Sequence, residues 1–336
     1  MEFRSLGRTG MQVSSICLGC MMFGGRTDQE TTTEILAQSL DGGINFLDTA
    51  NVYNLGRSEE TTGVALKQLG ARDRVVLATK VHGVMDAEDP NMRGNSRRHI
   101  IQQCEASLRR LDTDYIDLYQ IHRPSPDIPI DETLRALDDL VTSGKVRYLG
   151  ASTFGAWQLV ESFWVSEKYG LNRFVCEQPP YNILDRRIER ELLPMAQTYG
   201  MGVIPWSPLA GGLLTGKYTR DGDRPADSRY GQQKLMPQQH ARWVEGVFDV
   251  VEALTPIAQE KDCTLSQLAL AWCEQQPGVS SAIIGPRTLE QLQDNLGASA
   301  VEITDEDRAR IDAIVPPGRM VSPFYEANFG PHSYRI

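Results

Sequence analysis

Eight short β-branched or aromatic runs, each followed by apolar residues at three- and four-residue spacing, set the first limit on what this 336-residue chain can fold into. The runs lie at 13–19, 44–50, 75–81, 116–122, 146–152, 174–178, 202–207 and 281–285. Several of the stretches between them have legible ends. Thr27-Asp28-Gln29-Glu30 fits a capping box for a helix that stops at Asp41-Gly42-Gly43, and Ser96 opens a helix through Ala106, Leu108 and Leu111. Residues 133–141 end at Ser143-Gly144, 157–169 at Gly170 and 188–199 at Gly200, while 265–272 stop before Pro277. Repeated strand-then-helix units build either an open doubly wound sheet or a closed eight-stranded barrel, and eight consecutive units favour closure. The expected fold is therefore α/β, a (β/α)8 TIM barrel.

The chain adds to that plan at both ends. Residues 3–13, with Gly7-Arg8-Thr9-Gly10 as a tight turn, read as an N-terminal β-hairpin ahead of the first barrel strand. Residues 211–236, rich in Gly, Asp and Arg, and an aromatic tail over 316–336 interrupt the rhythm, and an extra C-terminal helix is expected. Long loops at barrel strand ends commonly act as lids or specificity walls. No linker divides the chain, so 1–336 reads as a single domain.

Charge narrows the partners. Thirty-four Lys and Arg against 44 Asp and Glu give a net charge of −10, with no basic block to offset it, which argues against nucleic acid or an anionic membrane as partner. No signal-peptide core opens the chain and no apolar run approaches a membrane span, so a cytoplasmic location is expected. Cys17, Cys20, Cys104, Cys176, Cys263 and Cys273 read as reduced packing thiols, since a lone C-x-x-C without a ligating partner is weak support for metal. His99 and Cys104, five residues apart on one helix, do not share a face, and no metal site is expected. His82, His240 and His332 read as surface or loop residues.

In a barrel the carboxyl ends of all strands share one rim, so residues far apart in sequence converge there. Asp48 ends the second run, Tyr53 follows five residues later, Lys80 ends the third run and His122 the fourth. A phenol is a poor acid at neutral pH, and an adjacent ammonium favours its ionised form; Lys80 is the candidate for that task, with Asp48 holding it charged. His122 is then placed to donate a hydrogen bond to a carbonyl oxygen gaining negative charge. Such a set supplies a proton but no electrons, so carbonyl reduction needs a hydride donor such as a nicotinamide.

The segments Gly43-Ile-Asn-Phe-Leu-Asp48-Thr-Ala-Asn-Val-Tyr53, Leu77-Ala-Thr-Lys80 and Asp117-Leu-Tyr-Gln-Ile-His122 resemble the aldo-keto reductase superfamily, and the resemblance runs from Leu18-Gly19 to Asn295. It implies the barrel, Tyr53 as general acid, Lys80 and Asp48 as its tuners, His122 as the substrate-orienting donor, and use of the pro-R hydride. Gln178-Pro-Pro-Tyr181-Asn182 and Trp206-Ser-Pro-Leu-Ala-Gly-Gly-Leu-Leu-Thr-Gly-Lys-Tyr218 look more like the branch related to potassium-channel β subunits and bacterial sugar or xenobiotic reductases. That branch often assembles into oligomers, so a homo-oligomer is an open expectation.

The resemblance also supplies a cofactor set. Ser152, Gln178 and Trp206 match positions that hold a nicotinamide in similar reductases; the residue after the Ser is commonly Asn, whereas here it is Thr153. Gly19, Cys20, Met21 and Asp48 join them, as do Ser207, Pro208, Leu209 and Ala210. Gly211 to Lys217, with Gly212 and Lys217 foremost, and Arg229 are expected over the pyrophosphate, and Gly285, Arg287, Gln291, Asp294 and Asn295 at the adenosine end. A helix N-terminus beside an Arg is a ready anion site, and an Arg near the ribose favours a 2′-phosphate, hence NADP(H) over NAD(H).

The implied function is an NADP(H)-dependent reductase of aldehydes or ketones, or oxidant of the corresponding alcohols. Substrate contacts are expected from Met22, Phe23, Val52, Val84, Met85, Arg123 and the aromatic tail from Phe324 to Tyr334, which name no molecule. A regulatory subunit that holds NADPH with little turnover is an alternative, as is a lyase using Lys80 as a Schiff base. A nucleotide triphosphatase is disfavoured: Gly211-Gly-Leu-Leu-Thr-Gly216-Lys217 approaches a Walker A pattern, but Tyr218 stands where a Ser or Thr must ligate Mg²⁺. No G-x-G-x-x-G is present for a Rossmann dehydrogenase.

Overall fold

The computed structural model describes residues 1–222, 224–226, 228–231 and 237–324. Two short antiparallel strands, β1 (Phe3–Ser5) and β2 (Gln12–Ser14), form the N-terminal hairpin. The barrel strands are β3 (Ile16–Gly19), β4 (Phe46–Asp48), β5 (Val76–Val81), β6 (Ile116–Ile121), β7 (Val146–Ser152), β8 (Phe174–Gln178), β9 (Gly202–Val203) and β10 (Ala282–Ile284). They form one parallel sheet in the order β10-β3-β4-β5-β6-β7-β8-β9. Its two edges meet through parallel bridges Val203 to Val279 and Trp206 to Ile283, with Ser280 N donating to Val203 O at 2.8 Å and Ile283 N to Pro205 O at 2.9 Å. This seam closes the (β/α)8 barrel.

Helices α1 (Gln29–Asp41), α2 (Arg57–Gln68), α3 (Arg97–Leu111), α4 (Ile130–Thr142), α5 (Ala156–Tyr169) and α6 (Leu192–Tyr199) alternate with the strands. Then come α7 (Pro237–Arg242), α8 (Glu245–Glu260), α9 (Leu265–Glu274), α10 (Leu289–Gly297) and α11 (Asp305–Ile314). Helices α9 and α10 complete the outer ring, and α11 packs on α8 as the expected C-terminal addition. No helix among the described residues is long and apolar enough to cross a membrane.

Two apolar layers follow from strand alternation, since successive side chains point to opposite faces. Ile16, Leu47, Leu77, Tyr119 and Leu149 point outward to the helices, while Cys17, Phe46, Ala78, Leu118, Cys176 and Ile204 fill the barrel interior. Leu6 and Val13 of the hairpin are fully buried in that inner layer and stopper the bottom of the barrel. Gly7 makes this possible: its φ is +57°, and a Cβ there would lie 2.6 Å from Gly202 N.

Four expectations are corrected in detail. The run 13–19 is divided at Ser15, because residues 12–14 pair antiparallel with β1 whereas 16–19 pair parallel with β10 and β4. The run 202–207 keeps only two ladder residues, since Pro205 and Pro208 bring no N–H to a ladder. The helix expected over 188–199 begins at Leu192 after a 3-10 turn (Arg187–Arg190), so that Pro194 falls in the first helical turn, where its missing N–H costs nothing. The first helix is capped by Asp28, whose carboxylate accepts from Thr31 N, rather than by Thr27, whose buried hydroxyl turns to Arg287 O.

Candidate active site

Period-two alternation sorts the inner face of four strands into a lower apolar and an upper polar residue. Phe46 is followed by Asp48, Ala78 by Lys80, Leu118 by Gln120 and His122, and Cys176 by Gln178. The polar members meet at the carboxyl rim, where Asp48 is 3% and Lys80 0% exposed. Such a buried ammonium is stable only when its protons are matched. Lys80 Nζ donates to Asp48 Oδ2 at 2.5 Å, Thr49 O at 2.9 Å and Tyr53 Oη at 3.2 Å. Burial alone would pull its pKa down, but Asp48 and Tyr53 outweigh it and hold Lys80 above its ordinary value.

Tyr53 Oη thus accepts from Lys80 and keeps its own proton to donate. The Tyr53 ring lies edge-on to His122, centroids 5.6 Å apart. The loop carrying Tyr53 is held by Asn54, at φ +51°, whose Nδ2 donates to Met21 O at 3.1 Å and Phe23 O at 2.8 Å. His122 is pushed well below its ordinary pKa, first by burial and then by Lys80, Arg123 and His82, so its ring is neutral at pH 7 and keeps one N–H.

Asp48 Oδ1 accepts from Gln120 Nε2 and Gln178 Nε2, both at 2.9 Å, and Gln178 Nε2 also reaches Gln120 Oε1 at 3.1 Å. Gln120 was not anticipated. Its signal was available, because it stands two residues before His122 on the same strand and therefore on the same face.

Above these groups opens a cavity of about 620 Å³. Tyr53, His122, Arg123, Met21, Met22 and Trp206 line it, together with Lys217, Arg229, Arg287, Gln291, Asp294 and Asn295. Gly19, Asp48, Gln178, Ser207, Pro208, Leu209, Gly212 and Gly285 also reach its wall. The sequence reading did not anticipate Arg26, Ser266, Ile283 and Ile284 there.

Four of the expected cofactor contacts are not on that wall, nor are Phe23, Val52, Val84 and Met85 of the expected substrate contacts. Cys20 and Ala210 are fully buried, and Ser152 and Thr153 lie buried in the turn behind Gln178. Cys20 points its sulfur into the core, where burial raises the thiol to about 12. Burial raises the pKa of the other five cysteines too, in keeping with packing thiols. His82 is a loop residue, as expected, and is half-buried, with Nδ1 3.0 Å from Asn95 Oδ1. His240 is exposed, Phe324 is buried, and the expected contacts of the tail beyond it, with His332, lie outside the described residues.

Thr153 at φ +60°, Ser207 at +56° and Ala210 at +52° hold left-handed backbone on this rim, as do Asn54 and Leu55 beside Tyr53. Such strain clusters at ligand sites. At the far end, Thr288 caps α10 by accepting from Gln291 N, and Gln291 Oε1 accepts from Arg287 N at 2.8 Å. The set fits a dinucleotide: five cationic residues (Arg26, Arg123, Lys217, Arg229, Arg287) face two acidic ones, of which Asp48 is already paired with Lys80.

The model of the Aldo/keto reductase family matches residues 15–316. The chain is 42% identical over 327 residues to the uncharacterized oxidoreductase YrpG of Bacillus subtilis (strain 168), covering 95% of this chain and 97% of that protein. It is 39% identical over 320 residues to a probable voltage-gated potassium channel subunit beta of Oryza sativa subsp. japonica, covering 94% and 97%. A protein of the same description from Arabidopsis thaliana is 40% identical over 301 residues, covering 89% and 91%. The chain belongs to the aldo/keto reductase family, oxidoreductases that generally use NAD(P)H.

Proposed function

We propose that this protein is an NADP(H)-dependent carbonyl reductase, with Tyr53 as general acid in reduction and general base in the reverse direction. The observation that carries the reading is the buried Asp48–Lys80–Tyr53 chain, which ends on a hydroxyl proton beside a neutral His122 in a cavity lined by five cationic residues. When bound, the nicotinamide supplies the hydride. Tyr53 gives its proton to the carbonyl oxygen, so that hydride and proton together turn C=O into CH–OH. His122 donates its remaining N–H to the same oxygen as charge builds on it. Lys80 stabilises the tyrosinate left behind, and Asp48 keeps Lys80 charged until solvent returns the proton. Because all three Lys80 protons have acceptors and the ammonium is favoured, a Schiff-base lyase is disfavoured.

Arg287, Lys217 and Arg229 would hold the phosphates, with Arg287 selecting the 2′-phosphate. Ser207, Pro208, Leu209 and Gly212 would follow the rest of the dinucleotide, with Trp206 against the nicotinamide. The relatives named as channel subunits favour a second reading, an NADPH-holding subunit of slow turnover. One titration separates the two. Tryptophan fluorescence is followed with NADPH and with NADH, and a panel of aldehydes, ketones and keto-sugars is then added. Saturable quenching by NADPH followed by its consumption is expected. Binding without consumption across the panel favours the subunit, and no binding of either nucleotide removes both.

A further inference from the structure

Leu55 carries two penalties at once. Its backbone is left-handed, with φ +55° and ψ +44°, a conformation in which Cβ crowds the following carbonyl oxygen and which bulky side chains avoid. Its side chain is 74% exposed, so little burial offsets that strain. Asn54 on one side, at φ +51°, and Gly56 on the other, at +94°, are residue types that take this backbone readily. Leucine is the exception among the three. Strain of this kind gathers at ligand sites, and Leu55 stands two residues from Tyr53.

The neighbouring loops extend its apolar surface. Leu55 N donates to Val52 O at 3.1 Å, closing a turn with Tyr53 inside it. On one side of this turn Asn54 Nδ2 holds the carbonyls of Met21 and Phe23, and Met21, 41% exposed, lines the cavity beside Met22. On the other side Val52 packs closely on Gly83, where an added Cβ would lie 2.6 Å from Val52 Cγ2, and Val84, 43% exposed, comes next. Met21, Leu55 and Val84 thus make a lip of aliphatic and thioether side chains around the turn that holds Tyr53. Met21 reaches the cavity wall, whereas Leu55 and Val84 lie outside it.

We propose that this lip holds the hydrocarbon tail of an aliphatic aldehyde or ketone whose carbonyl lies at Tyr53 and His122, so that the substrate outruns the cavity and its tail crosses Leu55. The assignment rests on the carbonyl-reductase reading above and adds the class of substrate to it. Each methylene laid on the lip leaves water, and the flexible Met21 adapts to the tail. A polyhydroxylated carbonyl such as a keto-sugar would set its outer hydroxyls against side chains that have no donor and at most a weak acceptor. Three side chains are also too few for a protein partner, since a stable interface takes about 800 Å² from each side.

The test is the chain-length profile of kcat/KM for propanal, pentanal and octanal at saturating NADPH, measured on the wild-type protein and on Leu55→Asn. Asn removes the apolar side chain yet takes left-handed backbone more readily, so the turn keeps its shape and Tm should hold or rise. Wild-type kcat/KM is expected to climb about two- to threefold per added methylene, chiefly through KM. Leu55→Asn should lower the value for octanal about five- to tenfold relative to that for propanal. A flat wild-type profile, or matched losses for propanal and octanal, overturns the lip. A clearly lower Tm for Leu55→Asn would show that the fold itself holds this leucine, and overturns it as well. No turnover of any alkanal by a protein that reduces keto-sugars refutes the lip alone, whereas no turnover of either class removes the reductase reading with it.

Discussion

Lys80 is fully buried, yet each of its three protons has an acceptor and a carboxylate lies against it, so a group that is ordinarily costly inside a protein becomes the fixed point of the site. In the proposed mechanism the chemistry depends on the one proton this network leaves outward. Tyr53→Phe should lower kcat by about 10²- to 10⁴-fold with NADPH affinity within about twofold, read by steady-state kinetics beside fluorescence titration. Turnover at the wild-type rate would remove Tyr53 as the acid. Arg287→Ala should weaken NADPH far more than NADH; matched losses would take the 2′-phosphate away from it. Glu177 gives a prediction in pH. It is fully buried, with Oε1 on Phe154 N and no partner for Oε2, and burial pushes its pKa from about 4.5 to about 8. Between those values the folded state binds more protons than the unfolded state, so stability falls as pH rises, by at most about 1.4 kcal/mol per pH unit from this group. Glu177→Gln should flatten the fall in Tm between pH 5 and pH 8, and an unchanged slope would show that this carboxyl is not its source.

Among the elements, the hairpin does the least expected work. Its turn was legible from Gly7 to Gly10, but nothing in eleven residues of sequence says that Leu6 enters the barrel from below to meet Cys17, Phe46 and Ile204. Leu6→Ala should cost about 2–5 kcal/mol in denaturant unfolding, as for other fully buried leucines; a loss under about 0.5 kcal/mol would mean that the hairpin does not close the barrel floor. Helix ends were legible where a single side chain decides them, as at Ser96 and at Gly170, whose φ is +65°. They were misread where tertiary contacts compete. Thr27 scans as a cap, but the β3–α1 loop turns its hydroxyl toward Arg287 across the cavity rim, and Asp28 takes the cap.

For the whole molecule, charge is the feature that composition conceals. The chain carries −10 overall, yet five cationic side chains gather in one cavity. NADPH binding should therefore weaken as ionic strength rises, while the KM of an uncharged carbonyl stays nearly level; a salt-independent NADPH Kd would place the phosphates elsewhere.

The sequence by itself determined the eight strand-helix units and the identities of Asp48, Tyr53, Lys80 and His122, because strand and helix periods and strand-end positions are local properties. Tertiary structure alone decided that β9 and β10 meet, that Gln120 joins Gln178 on Asp48, and that Ser152 turns its donor inward to Gln178 O. Those outcomes depend on the directions of hydrogen bonds between residues 26 to 130 positions apart, and sequence spacing carries no record of which way a donor points once barrel closure has brought its partner near.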